Sequence, residues 1–149
     1  MYQTLLRRPA DPFGLTASLE FLTQGGTLAQ LKAEILDSEE YYQTRGGGTL
    51  LGFLIAVYSD VLGRGPASTE QFGWLLPLAL CTSRTTVASA ILDSPESVAD
   101  RVEADYQLYL RRPADSGGLF GFVNALEQGA PEELVVGTII GSEEYFDRS

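Results

Sequence analysis

The pentapeptide Arg-Arg-Pro-Ala-Asp stands at Arg7–Asp11 and returns unchanged at Arg111–Asp115. Arg8 with Asp11 and Gly14, and Arg112 with Asp115 and Gly118, make a set suited to recognition. The guanidinium and carboxylate supply charged donors and acceptors, and the glycine allows close approach. Together they describe a shallow polar site. The same residues have a structural reading, in which an arginine at a helix end covers free carbonyls and pairs with Asp11 or Asp115. Arg8, Arg64 and Arg112 are the one charged position kept in three related segments, but the middle segment has Ala67 and Glu70 where the others have aspartate and glycine.

Catalytic chemistry has little to work with. The chain has no histidine, which removes the commonest general base and metal ligand. Ser38, Ser94 and Ser142 have no base in sequence context and read as helix caps. The acids Asp37, Glu39, Glu40, Glu143 and Glu144 lack the ligand spacing of a calcium loop and read as N-terminal helix charges. An acid-pair hydrolase needs two carboxylates about 5 to 9.5 Å apart across one cleft. Gly46-Gly47-Gly48 lacks the lysine and serine or threonine of a phosphate loop and reads as a hinge. Cys81 reads as an inert small residue. No catalytic residue, metal or cofactor is expected.

The elements that position these residues come from an internal repeat. Tyr2–Leu15 lies over Tyr106–Leu119 without a gap, and Ser38-Glu39-Glu40-Tyr41 over Ser142-Glu143-Glu144-Tyr145. A fainter copy starts at Tyr58. The fold class expected is all-α: three helical repeats of about 42 residues (2–43, 58–99 and 106–147) packed into one compact domain spanning 1–149. Asp11-Pro12 opens a helix running to about Thr23, Gly25 ends it in a left-handed turn, and Thr27 with Gln30 forms a capping box. Leu28, Leu31, Ile35 and Leu36 then share one face, and Ser38 caps the next helix.

Ser94-Pro95 opens a segment expected to stay one helix until Pro113. The junction at 45–48 is expected to be a flexible turn. Columns Leu19/Leu75/Val123, Leu22/Leu78/Leu126, Ile35/Ile91/Ile139 and Leu36/Leu92/Ile140 are always aliphatic and are read as core. Phe72, Trp74, Phe120 and Phe122 replace Thr16 and Ser18, so they either pack between units or form an apolar patch facing a partner.

A net charge of −10 disfavours nucleic acid as a partner. The most apolar run, residues 46–59, is shorter than the roughly 20 residues that span a bilayer, so no membrane insertion is expected. No secretory leader is expected, since no basic stretch with an apolar core precedes that run. The chain's first entry helix is shorter than the other two, which reads as a piece of a longer array.

The sequence pattern of tyrosine, Leu-Leu-Arg-Arg-Pro-Ala-Asp, Gly-Leu and a terminal Ser-Glu-Glu-Tyr resembles the bacterial "domain of unknown function 4214" family, with Leu62-Gly63-Arg64 as its variant in the middle copy. A more distant similarity is to the helical linker domains of phycobilisomes. The first resemblance implies a helical module of large surface or secreted bacterial proteins, hence extracellular placement, and no catalytic residues. Three functions follow in order of expectation. The first is a non-catalytic interaction or spacer module. The second is a carbohydrate- or peptide-binding module using Arg8, Asp11, Gly14 and Tyr41 with Arg112, Asp115, Gly118 and Tyr145. The third is an acid-pair hydrolase. The protein or glycan partner and the oligomeric state are open at this point.

Overall fold

A computed structural model describes residues 1–148, and among them the chain is helical with no strand. The all-helical expectation holds. Eleven α-helices follow one another: α1 (Tyr2–Leu5), α2 (Pro12–Thr23), α3 (Leu28–Asp37), α4 (Glu39–Thr44), α5 (Leu50–Leu62), α6 (Ser68–Leu80), α7 (Arg84–Leu92), α8 (Pro95–Asp105), α9 (Ser116–Glu127), α10 (Glu132–Ile140) and α11 (Glu143–Arg148). They gather into two compact units, Met1–Leu92 and a second from Asp93 onward.

Helix ends lie where the capping residues put them. The Asp11 carboxylate accepts from the Gly14 amide at 2.8 Å with Pro12 at the first helical position, and Asp115 accepts from Gly118 at the same distance. Thr27 and Gln30 close a reciprocal capping box. Ser38 and Ser142 accept from the amides of Tyr41 and Tyr145. Gly25 and Gly129 take positive φ values of 93° and 91°, and the amides that follow return to Phe21 and Ala125, which satisfies the last carbonyls of α2 and α9.

The first unit is built around Leu36, Phe53, Leu54, Val57 and Val87, all fully buried, and the second around Val102, Tyr106, Leu110, Val135 and Ile139. Ile35, Ile91 and Ile139 are buried as the repeat comparison expects. Leu19 is not. It is 54% exposed, because α2 turns Ser18, one residue round the helix, to the interior. Leu28 likewise lies at the edge of its expected face.

The two junctions also differ from the sequence reading. α8 passes without a break into a π-helical turn, Tyr106–Leu110, so the expected single helix is continuous but widens by a residue per turn at its end. The glycines at 46–48 form a hydrogen-bonded connection, with Gly46 and Gly48 donating to Tyr41 and Tyr42. A methyl group on Gly46 would meet the backbone of Phe53, and one on Gly52 would collide with the Gly46 carbonyl. These glycines let α5 close on α4, a packing role where a flexible turn was expected.

Gly52→Ala should therefore destabilise by about 1–3 kcal/mol in urea unfolding. Gly121→Ala, in α9 with nothing near the added methyl group, should stabilise by about 0.5–1 kcal/mol. Equal effects at the two sites would contradict the close-approach reading.

Candidate functional site

Each of the three entry helices ends in a left-handed residue, Arg7 (φ 57°), Gly63 (φ 65°) or Arg111 (φ 52°). The chain reverses there, and the next residue is the repeated arginine. Its guanidinium stacks over the tyrosine that begins the entry segment: Arg8 over Tyr2 at 5.6 Å, Arg64 over Tyr58 at 5.3 Å, Arg112 over Tyr106 at 5.1 Å.

The arginine donors are then spent within the protein. Arg8 grips Glu40 in α4 with two parallel bonds, the second at 2.7 Å, and its remaining nitrogen donates to the Pro9 carbonyl and to Asp11 at 3.1 Å each. Arg112 repeats this on Glu144, the Pro113 carbonyl and Asp115. Arg64 holds Glu70 by two bonds of 2.9 Å, and Glu70 also accepts from the Ala67 amide. Glu70 thereby takes the missing aspartate's place as ion-pair partner, but not as acceptor for a first-turn amide. Ala67 has no side-chain acceptor, so only the glutamate half of a capping box is made there.

The sequence reading anticipates the carbonyl and the aspartate but takes Glu40 and Glu144 for helix charges only. A signal for them exists: each lies 32 residues after its arginine in both copies. The glycines also have a different tenant. A methyl group on Gly14 would come within 2.8 Å of the Tyr2 hydroxyl, and one on Gly118 would collide with that of Tyr106. The close approach they allow is to their own tyrosine.

Tyr41, grouped in sequence with Arg8 and Asp11, points elsewhere. It is fully buried and donates from its hydroxyl to Asp60 of α5 at 2.8 Å, against the edge of Phe53. Asp60 is almost wholly buried and also takes two bonds from Arg45, with Arg7 at 3.7 Å. Burial, then the hydrogen bond to Asp60, pushes the Tyr41 hydroxyl well above its ordinary pKa. Tyr145 is half-buried against Phe146, and its hydroxyl has no hydrogen-bond partner among the described residues.

The four aromatic candidates separate into pairs. Trp74 donates to the Tyr58 hydroxyl at 3.2 Å and Phe122 meets the Tyr106 ring edge-on, both within their own copy. Phe72 and Phe120 are 80% and 75% exposed. Phe72 continues as a stripe with exposed Leu76 and Leu80 along α6.

A cleft of about 270 Å³ opens beside the first clamp, lined by Tyr2, Arg8, Asp11, Phe13, Glu34 and Glu40 among others. Phe13 is 84% exposed at its rim, a feature the sequence reading does not single out. The Gly14 amide and then Arg8 hold Asp11 below the usual carboxylate range, and Arg8 does the same to Glu40. Among the described residues no group of three His, Cys, Asp or Glu side chains is placed to hold a metal ion, and no helix is long and apolar enough to cross a membrane.

Two measurements follow. Arg64, and secondarily the Ala67 amide, hold the Glu70 carboxyl at about 2, below its ordinary 4.5. A folded-state value below the unfolded one adds stability above about 4.5 that is lost as the pH falls towards 2. Asp11, Glu40 and Asp115 act in the same direction. Thermal melts from pH 7 to 2 should show Tm falling below about pH 5, less steeply in Glu70→Gln. In urea unfolding, Tyr41→Phe should cost about 1.5–3 kcal/mol, since it strips a hydrogen bond from a buried carboxylate, while Tyr145→Phe should change stability by less than about 0.5 kcal/mol.

Compared with known proteins, the chain matches no family model, no curated protein and no solved structure.

Proposed function

We propose that this chain is a non-catalytic helical interaction or spacer module, built from three copies of one unit and carried by a larger bacterial surface or secreted protein. One observation carries the reading: in each copy the repeated arginine is consumed by bonds to a carboxylate and a carbonyl of its own chain. A recognition arginine would keep donors for its ligand, whereas these hold helices together. The recurrence of the Tyr–Arg–carboxylate set at Tyr2, Tyr58 and Tyr106 supports three copies of one unit. The resemblance to domain of unknown function 4214 modules supports the bacterial, extracellular context. The exposed stripe Phe72, Leu76, Leu80 gives such a module apolar surface for contact with another protein.

A second reading, binding of a carbohydrate or peptide at the first clamp, draws on Phe13 exposed at the rim of a cleft rich in carboxylates. An acid-pair hydrolase draws on nothing comparable. Asp11 and Glu40 are both held ionised by Arg8 and its neighbours, and such a mechanism needs one acid kept protonated near neutrality.

Glycan and peptide arrays probed with wild type, Phe13→Ala and Phe72→Ser/Leu76→Ser separate these readings. The interaction reading expects no glycan signal and a peptide signal lost in the α6 variant alone. Specific glycan binding lost in Phe13→Ala would replace it with the second reading.

A further inference from the structure

Ser18 stands in a place that α6 and α9 fill with an aromatic ring. Laid over itself so that Tyr2, Tyr58 and Tyr106 coincide, the chain sets Ser18 on Trp74 and Phe122. In all three helices that residue meets the tyrosine whose ring backs the clamping arginine. Trp74 donates its indole N–H to the Tyr58 hydroxyl at 3.2 Å, Phe122 lies edge-on to Tyr106 with ring centroids 6.1 Å apart, and the Ser18 hydroxyl is 3.4 Å from that of Tyr2. A hydroxyl is far smaller than an indole or phenyl ring. Beside Tyr2 and Ser18 the space is open, as the cleft of about 270 Å³.

The walls define what would enter. α3 lends Leu31, Glu34, Ile35 and Ser38, which recur three and four residues apart on one face, and Leu31 and Ile35 are buried. Phe13 offers an exposed ring at the rim. The Tyr2 hydroxyl donates to the Gly14 carbonyl at 3.3 Å and keeps its lone pairs, so it can accept an N–H as Tyr58 does. Asp11, Glu34 and Glu40 line the cleft with Arg8 as their one cation. Arg8 is committed to Asp11 and Glu40, whereas Glu34 is exposed and makes no ion pair among the described residues. The cleft therefore repels an anion and attracts a cation. Ligand pockets usually hold about 300–1,000 Å³, so this one has room for a single ring system with a short arm.

We propose that the cleft binds a small aromatic amine, an indole-type ring held between Phe13 and Tyr2, with its N–H donated to the Tyr2 hydroxyl and its ammonium group paired with Glu34. The ligand supplies the ring that Trp74 and Phe122 supply from within the chain. A second copy of this chain does not supply it, because the one tryptophan, Trp74, is bonded to Tyr58. The site goes beyond the interaction reading and uses no residue of the α6 stripe, so Phe72→Ser/Leu76→Ser leaves amine binding intact and loss of amine binding leaves the stripe untouched.

The test is an NMR titration of the isotope-labelled full chain near neutral pH with tryptamine, indole and indole-3-acetate. Expected are tryptamine-induced shifts at Tyr2, Phe13, Ser18 and Glu34, binding roughly five-fold weaker for neutral indole, and none for indole-3-acetate. Glu34→Gln should lower tryptamine affinity to that of indole and leave indole binding unchanged. Ser18→Phe, which gives α2 the ring that α9 carries, should remove binding of both. Four results would overturn the proposal: no shifts at these residues, indole-3-acetate binding as well as tryptamine, tryptamine affinity untouched by Glu34→Gln, or affinity retained in a folded Ser18→Phe chain. Glu34→Gln changes an exposed, unpaired side chain, so the charge comparison stands even where Ser18→Phe does not fold. A blocked Lys-Trp-Lys peptide that binds more tightly than tryptamine would assign the cleft to a protein segment and equally overturn it.

Discussion

The two-pronged bond from an arginine to a glutamate 32 residues away is the contact on which the segments after Arg8 and Arg112 depend. Arg8 and Arg112 sit just after a chain reversal, where the backbone has left one helix and not begun the next. Such a segment has few hydrogen bonds of its own. By holding Glu40 or Glu144 on one side and Asp11 or Asp115 on the other, the arginine ties the end of the entry segment, the start of α2 or α9, and the start of α4 or α11 to one point. The aspartate meanwhile caps its helix and the tyrosine ring backs the guanidinium. Proline and glycine complete the set: Pro9 and Pro113 follow the arginine outside any helix, and Gly14 and Gly118 clear space for the tyrosine hydroxyl. In a pentapeptide that looks like a binding motif, the second arginine, the proline carbonyl and the aspartate act as a joint.

That account bears on function through what remains. Groups committed to internal bonds are poorly placed to recognise a ligand, since release of either partner would leave an ion unpaired. The surfaces left for contact are apolar: the α6 stripe, and the Phe13 rim beside the first clamp. The segment around Arg64 reinforces the point. It has an alanine in the aspartate's place, and there Glu70 pairs with the arginine and accepts from the Ala67 amide. Substitution that preserves the joint while changing its chemistry is what a structural role permits.

Local features were legible in the sequence. Asp11-Pro12, Thr27 with Gln30, Ser38 and Gly25 each act within three or four residues, so their spacing states their geometry. The aliphatic columns at Ile35, Ile91 and Ile139 were legible because the same residue type recurs there when the chain is laid over itself. What escaped depends on distance or on what packs opposite. The partner of Arg8 lies 32 residues on and looked like a helix charge. Asp60 is an ordinary aspartate until its burial beside Tyr41, Arg45 and Arg7 is known. Leu19 was read inward because its column is aliphatic, yet Ser18 takes the interior place. Three glycines read as a hinge because sequence does not show that Phe53 arrives against them.

The most direct measurement is a double-mutant cycle on Arg112 and Glu144, with Arg112→Ala, Glu144→Ala and the double variant compared by urea unfolding. A joint predicts that each single change destabilises and that the pair is less costly than the sum, with a coupling above about 0.5 kcal/mol even after solvent screening. Additive losses, or full stability in Arg112→Ala, would mean that the repeated arginine is kept for something outside the fold.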